Sequence, residues 1–274
     1  IFNGFFLPQI ANFIVHYLKI SIITVCYNSE KTISKTIESV LRQTNALFEY
    51  LIIDGASKDN TVQIAESYRE QFVQKGIAYH IQSESDKGIY DAMNKGIRSA
   101  TGDIIGILNS DDRYATEDVL STVIDAFERT QTETIYGNLL YIKNEQPYRY
   151  WRSGKFHTFK HGWMPPHPAF FVTKDAYQKY GLYRLDCGVN ADYEFMLRLL
   201  EKENATTCWV DKTFVYMAAG GTSDNGINSR IQGVVDNKIA WKVNGMKPPF
   251  YTVYWKKIRK IPQFLTAKFV KMEK

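Results

Sequence analysis

Apolar residues along this chain fall into two kinds of pattern, continuous runs and runs with helical spacing. Continuous runs with the length and β-branched composition of buried strands occur at 19–26, 50–53, 77–81 and 104–108. After each run, apolar residues recur every three or four positions, which predicts amphipathic helices over 33–41, 61–72, 89–97 and 119–127. Strands that alternate with helices in this way predict an α/β fold with a parallel, doubly wound sheet.

Polar side chains follow three of these four strands where each strand ends. Asn28 follows the first, Asp54 the second, and Asp111 and Asp112 the fourth. Ligands of open α/β sheets bind beyond the carboxyl ends of the strands, so these residues would border a cleft. Two adjacent carboxylates repel unless a cation or proton lies between them, and a hard divalent ion suits them. An Asp pair is also common at the start of a loop, and this motif alone is compatible with either a cation site or an ordinary loop.

Charge is unevenly placed along the 274 residues. The segment 247–274 holds eight Lys or Arg and one Glu, which gives +7, whereas the whole chain carries +5. The rest of the chain is therefore at −2, which argues against a nucleic-acid-binding body. The three cysteines are scattered and form no CxxC pair, so we expect neither a disulfide framework nor a zinc site, and a reducing, cytoplasmic setting.

Several common signatures are missing from the sequence. No GxGxxG follows the first strand, and neither GxxxxGK[ST], HExxH nor GxSxG occurs. A dinucleotide-binding Rossmann domain, a P-loop enzyme and two hydrolase classes therefore lack their fingerprints.

The second half of the chain has a different character, with shorter strands and an aromatic-rich stretch at 148–163. Such aromatics stack on sugar rings, but they more often belong to the core. Asp192 begins a predicted helix, where an Asp is ordinarily a cap. We divide the chain into an apolar extension at 1–18, a first half at 19–133, a second half at 134–246 and a basic tail at 247–274. The extension is expected to be a short helix on the domain or on a membrane surface.

Six motifs in order resemble one known family. They are Val25-Cys-Tyr-Asn28, Ile53-Asp-Gly-Ala-Ser-Lys-Asp-Asn-Thr61, Asp86-Lys-Gly-Ile-Tyr-Asp-Ala-Met-Asn-Lys-Gly96, Ala100-Thr-Gly-Asp103, Leu108-Asn-Ser-Asp-Asp112 and Asn190-Ala-Asp192. Together, over roughly 19–230, they resemble the family 2 glycosyltransferases of the bacterial surface-polysaccharide type. The resemblance implies a GT-A fold, which is Rossmann-like, with a smaller acceptor-side region and a basic helical tail. It makes 19–133 the nucleotide-sugar-binding half and 134–246 the acceptor-binding and catalytic half.

The resemblance also implies a donor site for a nucleotide-sugar, with UDP as the expected nucleotide. Asp54 would accept a hydrogen bond from the base, and Lys87 would either pair with the diphosphate or be a solvated surface lysine. Asp111 would reach the ribose, Asp112 would bind Mg²⁺ or Mn²⁺, and Asp103 would be structural. The other donor-binding residues implied are Thr24, Tyr27, Asn28, Glu30, Asp86, Asn94, Asn109 and Ser110.

Asp192 matches the family's catalytic aspartate, although Ala191 replaces the usual preceding Glu. It would act as the general base of a single, inverting displacement. His167 would lie near the acceptor or donor, or be hydrogen-bonded within its own turn, and Gly221 and Thr222 resemble a loop that closes over the donor.

The basic tail interleaves aromatic and aliphatic residues with Lys and Arg, which suits either an anionic membrane surface or packing on the domain. The expected acceptor is a glycan or a polyprenyl-linked glycan at the inner membrane face. Two alternatives are a sugar-nucleotide pyrophosphorylase, which should show a basic, Gly-rich loop after its first strand, and a sugar-binding protein without transfer activity.

Overall fold

A computed structural model describes residues 17–219 and 237–272 of the protein. Within this part of the chain, nine strands form one sheet. The strands are β1 (Ile20–Cys26), β2 (Phe48–Asp54), β3 (Ala78–Ser83), β4 (Ile104–Ile107), β5 (Asp112–Tyr114), β6 (Thr134–Lys143), β7 (Gln146–Trp151), β8 (Phe170–Thr173) and β9 (Thr207–Ala218). Their order is β3-β2-β1-β4-β8-β6-β9-β5, and β7 pairs with β6.

The first half of the sheet is parallel and has helices on both faces. Strands β1 to β4 pair in parallel, as the sequence predicted, whereas β8, β5 and β7 join antiparallel. On β1, Ile20 and Ile22 face one apolar cluster while Ile23 and Val25 face the other. A strand buried on both faces needs apolar residues at successive positions, which explains the continuous runs.

The helices connect these strands. They are α1 (Ile33–Leu41), α2 (Thr61–Ser67), α3 (Arg69–Gln74), α4 (Ile89–Ser99), α5 (Val119–Thr130), α6 (Lys174–Tyr180), α7 (Ala191–Met196), α8 (Thr252–Ile258) and α9 (Ile261–Thr266). A π-helix, Leu197–Lys202, continues α7, and residues 237–243 are also helical. The helix predicted over 61–72 is two helices, divided at Tyr68, whose hydroxyl donates to Glu38 of α1.

The basic tail packs on the domain. Helix α8 contacts a 3-10 turn at Phe159–His161, and α9 contacts β7. None of the helices in the described ranges is long and apolar enough to cross a membrane. The helix expected at 1–18 falls almost wholly outside the described residues.

Candidate active site

The carboxyl ends of β1, β2 and β3 lie side by side at one edge of the sheet. Cys26 is in register with Asp54, and Asp54 with Ser83. The loop after β4 joins them, since the hydroxyls of Ser29 and Ser110 are hydrogen-bonded at 2.8 Å. The polar residues predicted at separate strand ends are thus brought together.

The loops after β1 and β2 are tied to each other by Asn28 and Glu30. Asn28 has a left-handed backbone (φ 49°), its N–H donates to Ser57 Oγ at 2.8 Å, and its Oδ1 accepts from Lys58 N–H at 2.8 Å. Glu30 Oε2 accepts from the backbone and side-chain N–H groups of Asn60 at 3.1 and 3.0 Å. Both residues shape the rim of the cleft by holding the second loop in place.

Asp54 is fully buried at the end of β2, and its carboxylate is hydrogen-bonded to protein groups. Its carboxylate accepts a hydrogen bond from Ser57 N–H at 2.9 Å and another from Ser83 Oγ at 2.6 Å. The Ser57 hydroxyl donates a third hydrogen bond to it. Thr24 is also fully buried, and Tyr50 donates its hydroxyl hydrogen to it at 2.9 Å. Thr24 was expected to line the base pocket, but its side chain is enclosed within the sheet and its hydroxyl is paired with Tyr50.

Tyr27 and Asp86 form an accessible patch around Gly55. Tyr27 is 62% exposed, and a Cβ added to Gly55 would lie 2.7 Å from Asp86 Oδ2 and 3.4 Å from the Tyr27 ring. Asp86 Oδ1 accepts from Gly88 N–H at 2.8 Å, and Lys87 is exposed. These three predicted donor residues thus border open space at the same strand edge.

Asn94 is not part of this edge. It is 3% exposed on α4, and its amide pairs with both the N–H and the C=O of Tyr183, at 3.0 and 2.9 Å. The prediction that Asn94 binds the donor is corrected, because its donor and acceptor atoms are used to fix the chain before α7.

The acidic motif after β4 contains two buried oxygens without a hydrogen-bond partner among the described residues, Asn109 Oδ1 and Asp112 Oδ1. Asp112 is fully buried. Its Oδ2 accepts from Asn109 Nδ2 at 3.3 Å, and its backbone C=O accepts from Thr36 Oγ1 at 2.7 Å. Burial raises the pKa of Asp112 well above its ordinary value, and the negative charge of Asp111 makes a second, smaller contribution. Burial also raises the pKa of Asp111.

These unpaired oxygens fit a hard cation, because carboxylate and amide oxygens are the ligands that Mg²⁺ and Mn²⁺ prefer. Across residues 17–219 and 237–272, no group of three or more His, Cys, Asp or Glu side chains is placed to hold a metal. A cation at Asp112 would therefore need further oxygens from a ligand, as Mg²⁺ sites with one or two carboxylates plus phosphates do.

A cavity of about 870 Å³ extends from Asn109 toward the second half of the molecule. Asp192 and His167 also line it, so the structure brings these predicted residues to one space. Several aromatic residues contribute to its walls, including Tyr90, Tyr141, Tyr150, Trp151 and Trp163. Of the aromatic stretch, Phe159 is fully buried in the core, whereas Tyr150 and Trp151 face the cavity.

Asp192 stands at the start of α7 with a carboxylate that faces the cavity. Its Oδ1 accepts from Tyr90 OH at 3.0 Å, and this hydroxyl also lies 2.8 Å from Val189 O. Ala191, which precedes Asp192, is fully buried. Glu194 is buried in an ion pair with Arg198 at 2.9 Å, away from the cavity. Asp192 is the available carboxylate of this segment.

His167 is almost fully buried and hydrogen-bonded through Nε2 to Tyr183 OH at 2.9 Å. Burial lowers its pKa from the ordinary value, and the charge of Asp192 opposes this shift. A neutral imidazole follows near pH 7. Gly221 and Thr222, the predicted closing loop, lie outside the described residues.

Sequence reasoning missed the three basic residues of the tail that line the cavity: Lys256, Arg259 and Lys260. It also missed Tyr90, which lies inside a quoted motif. The tail was expected either on an anionic membrane surface or packed on the domain with solvated charges, and nothing in its charge pattern shows which basic residues face a cavity.

Comparison with known proteins agrees with this geometry. The family model described as glycosyl transferase family 2 matches residues 21–202. An uncharacterized glycosyltransferase of Mycobacterium tuberculosis (strain H37Rv) is 33% identical over 190 residues, which cover 65% of this chain and 68% of that protein. A PGL/p-HBAD biosynthesis glycosyltransferase of Mycobacterium bovis (strain BCG) is 30% identical over 211 residues, covering 74% of this chain and 78% of that protein.

Solved structures show the same fold at low sequence identity. Staphylococcus aureus TarS 1-349 in complex with UDP-GlcNAc has a TM-score of 0.65 and 17% identity, over 92% of this chain and 73% of that one. The mannosyltransferase PcManGT of Pyrobaculum calidifontis, in complex with GDP-Man and Mn²⁺, has a TM-score of 0.64 and 15% identity, over 92% and 74%. The fold is therefore that of the GT-A glycosyltransferases.

Proposed function

Since this chain belongs to glycosyl transferase family 2, we propose that it moves a hexosyl or N-acetylhexosaminyl group from a UDP-sugar to a glycan or lipid-linked acceptor, with inversion. One observation carries the proposal. Asn109 of the acidic motif and Asp192 line the same cavity, so a donor and an acceptor could meet between them. The donor class is supported by the similarity to TarS, which was solved with UDP-GlcNAc.

The donor would lie along the edge formed by β1, β2 and β4. Tyr27 offers an exposed ring for a base, and Asp86 and Lys87 border the same space. Asp54 is held rigid by its serine partners, so it would act on the base only after exchanging one of them. Ser110 and Asp111, after the end of β4, would contact the ribose and diphosphate.

Asp112 and Asn109 are the residues that would hold a divalent cation, through the two oxygens that lack protein partners. A Mg²⁺ or Mn²⁺ ion bound there would neutralise the negative charge on the diphosphate leaving group. The similarity to a mannosyltransferase solved with Mn²⁺ supports this assignment.

Asp192 would take the proton of the acceptor hydroxyl. As that oxygen forms its bond to C1, the bond from C1 to the diphosphate oxygen breaks, and its electron pair leaves with the nucleotide. The Tyr90 hydroxyl, at 3.0 Å, orients the carboxylate for this step. Attack from the face opposite the leaving group inverts the anomeric centre.

A peripheral membrane position is part of the proposal. The tail carries +7, and several of its large apolar side chains are mostly exposed, with Phe250 at 88% and Phe269 at 87%. An apolar surface rimmed by lysines suits an anionic bilayer, where lipid-linked acceptors of polysaccharide synthesis would be reached.

A transfer assay tests the reaction. The wild-type protein with Mn²⁺ and a panel of UDP-sugars is expected to release UDP in proportion to glycosylated lipid-linked acceptor, detected by mass spectrometry. Asp192→Asn should lower the rate by about 10² to 10⁴-fold, the usual contribution of a general base. Asp125→Asn, an exposed position on α5, is the matched control and should be unaffected. Nucleotide binding without sugar transfer to any acceptor would favour a binding protein instead.

A further inference from the structure

The side of the cavity formed by the tail is strongly cationic. Of the charged side chains that line the cavity within the described ranges, Asp192 is the sole acid, against Arg152, Lys256, Arg259 and Lys260. Arg152 is ion-paired with Asp211. The remaining cationic charge comes from α8 and the residues just after it.

Arg259 is the least satisfied of these cations. Its guanidinium is partly buried, and among the described residues it has no hydrogen-bond or ion-pair partner. Burial lowers its pKa from the ordinary value, as expected for a cation that lacks a counter-ion. A guanidinium in this setting favours an anionic ligand, and its planar fork suits phosphate oxygens.

Lys256 lies one helical turn earlier and is held toward the same space. Its Nζ lies 4.0 Å from the centre of the Tyr193 ring and 3.3 Å from Asn237 Oδ1. Burial lowers the pKa of Lys256 to about 8, the charge of Asp192 opposes that shift, and Lys260 adds to it. Lys256 is therefore largely protonated at pH 7 and electrostatically coupled to Asp192.

Helix α8 packs closely against the backbone around Gly162. Gly162 has φ +68°, and a Cβ added there would lie 2.7 Å from the Cα of Lys256. Thr252 Oγ1 donates to Lys160 O at 2.6 Å. Because Gly162 has no side chain, its backbone and that of Lys256 can pack closely, which fixes the position of α8. The cations of this segment are therefore held at the cavity by the packing of the backbone.

We propose that Arg259, assisted by Lys256, forms a subsite for a phosphate ester carried by the acceptor. This inference rests on the proposed glycosyl transfer and names the acceptor's chemical class, a phosphorylated lipid or a phosphorylated sugar. The subsite is assigned to the acceptor because Lys256 and Arg259 line the same cavity as Asp192, the proposed acceptor-side carboxylate.

Calorimetry on the full chain in EDTA tests the subsite apart from the donor site. Farnesyl diphosphate and glucose 6-phosphate are titrated as the two phosphate sources, and farnesol as the uncharged control. Arg259→Gln is expected to weaken binding of whichever phosphate probe binds by about tenfold or more, the scale of one charged hydrogen bond. Arg259→Lys should retain much of the affinity, and Lys257→Gln, at an exposed position that does not line the cavity, should change it less than twofold.

UDP binding with Mn²⁺ is measured on the same variants. Unchanged UDP affinity in Arg259→Gln supports an acceptor subsite, whereas an equal loss would assign Arg259 to the donor and overturn the proposal. Phosphate probes that bind Arg259→Gln as tightly as wild type, or no more tightly than farnesol, would also overturn it. A wild-type protein that binds no nucleotide contradicts the proposed function, and this result is separate from the phosphate measurement.

Discussion

Asp112 has an environment that the fold alone does not justify. Its carboxylate is completely buried, one of its oxygens lacks a hydrogen bond within the described chain, and its nearest charge is another carboxylate. Leaving a buried polar group unpaired costs about 1–3 kcal/mol. Such an arrangement is expected where a ligand, here a cation, completes the site.

We therefore expect Asp112→Asn to stabilise the metal-free protein by about 1–3 kcal/mol at pH 8, because an amide of the same size removes the buried charge. The folded-state pKa of Asp112 is raised, so the native state holds its proton to higher pH than the unfolded chain. Wild-type stability should then fall as pH rises above about 4, the ordinary value for Asp, and the variant should lack this part of the fall.

Thermal unfolding in EDTA across pH 4–8 measures this effect. Asp125→Asn, exposed on α5, removes a carboxylate without removing a buried charge and should follow the wild-type pH profile. A wild-type protein whose stability rises over this range relative to Asp112→Asn would show that Asp112 is satisfied by the fold.

The residues of the donor edge illustrate how far sequence reasoning reaches. Asn28, Asp111 and Asp112 follow apolar runs, so their position at one sheet edge could be predicted from strand order alone. Thr24 and Asn94 were expected at the same donor site, yet their side chains bond inside the protein, to Tyr50 and to the backbone of Tyr183. A motif shows which residues recur together, but tertiary contacts decide which of them face the ligand.

At the scale of elements, the parallel half was predictable and the later half was not. Strands β1 and β2 are continuous apolar runs because both faces are covered. In contrast, β5 begins at Asp112 itself and is defined only by its pairing with β9. The tail helices have the composition of a surface helix, and their contact with Gly162 depends on a backbone approach that no side-chain pattern records.

The contact between α8 and Gly162 leads to an element-scale prediction. Gly162→Ala should release α8 from the domain, because its Cβ would collide with the backbone of Lys256. Gly154→Ala is a matched control, since Gly154 also has φ +68° but nothing lies within 4 Å of an added Cβ. Both variants should lose about 1 kcal/mol from the left-handed backbone.

Limited trypsin digestion distinguishes the two variants. Only Gly162→Ala should show faster cleavage in the tail at Lys256, Lys257 and Arg259, and weaker binding of phosphate probes. Equal protection of the tail in the two variants would contradict the docking described for α8.

At the scale of the whole molecule, charge and apolar exposure are both concentrated in the tail, whereas the rest of the chain carries −2. We expect the protein to sediment with liposomes that contain phosphatidylglycerol and to be released by salt, because the attraction is partly electrostatic. The double variant Phe250→Ser/Phe269→Ser should bind less, since both side chains are almost fully exposed and contribute little to the core.

The control is Leu47→Ser/Val73→Ser, which removes two exposed apolar side chains far along the chain from the tail, at 53% and 64% exposure. It should sediment as the wild type does. If both double variants bind liposomes as well as the wild type, the tail does not dock on membranes through these side chains.

The central claim is that the motif at 109–112 binds a nucleotide-sugar together with a divalent cation. Isothermal calorimetry of UDP, GDP, TDP and CMP with Mn²⁺ and with EDTA, on wild type and Asp112→Asn, tests this most directly. We expect UDP to bind the wild type in the presence of Mn²⁺. Replacing Mn²⁺ by EDTA should weaken this binding by at least tenfold, and so should Asp112→Asn. If UDP binds in EDTA, or binds Asp112→Asn, as tightly as it binds the wild type with Mn²⁺, or if no nucleotide binds, this claim is contradicted.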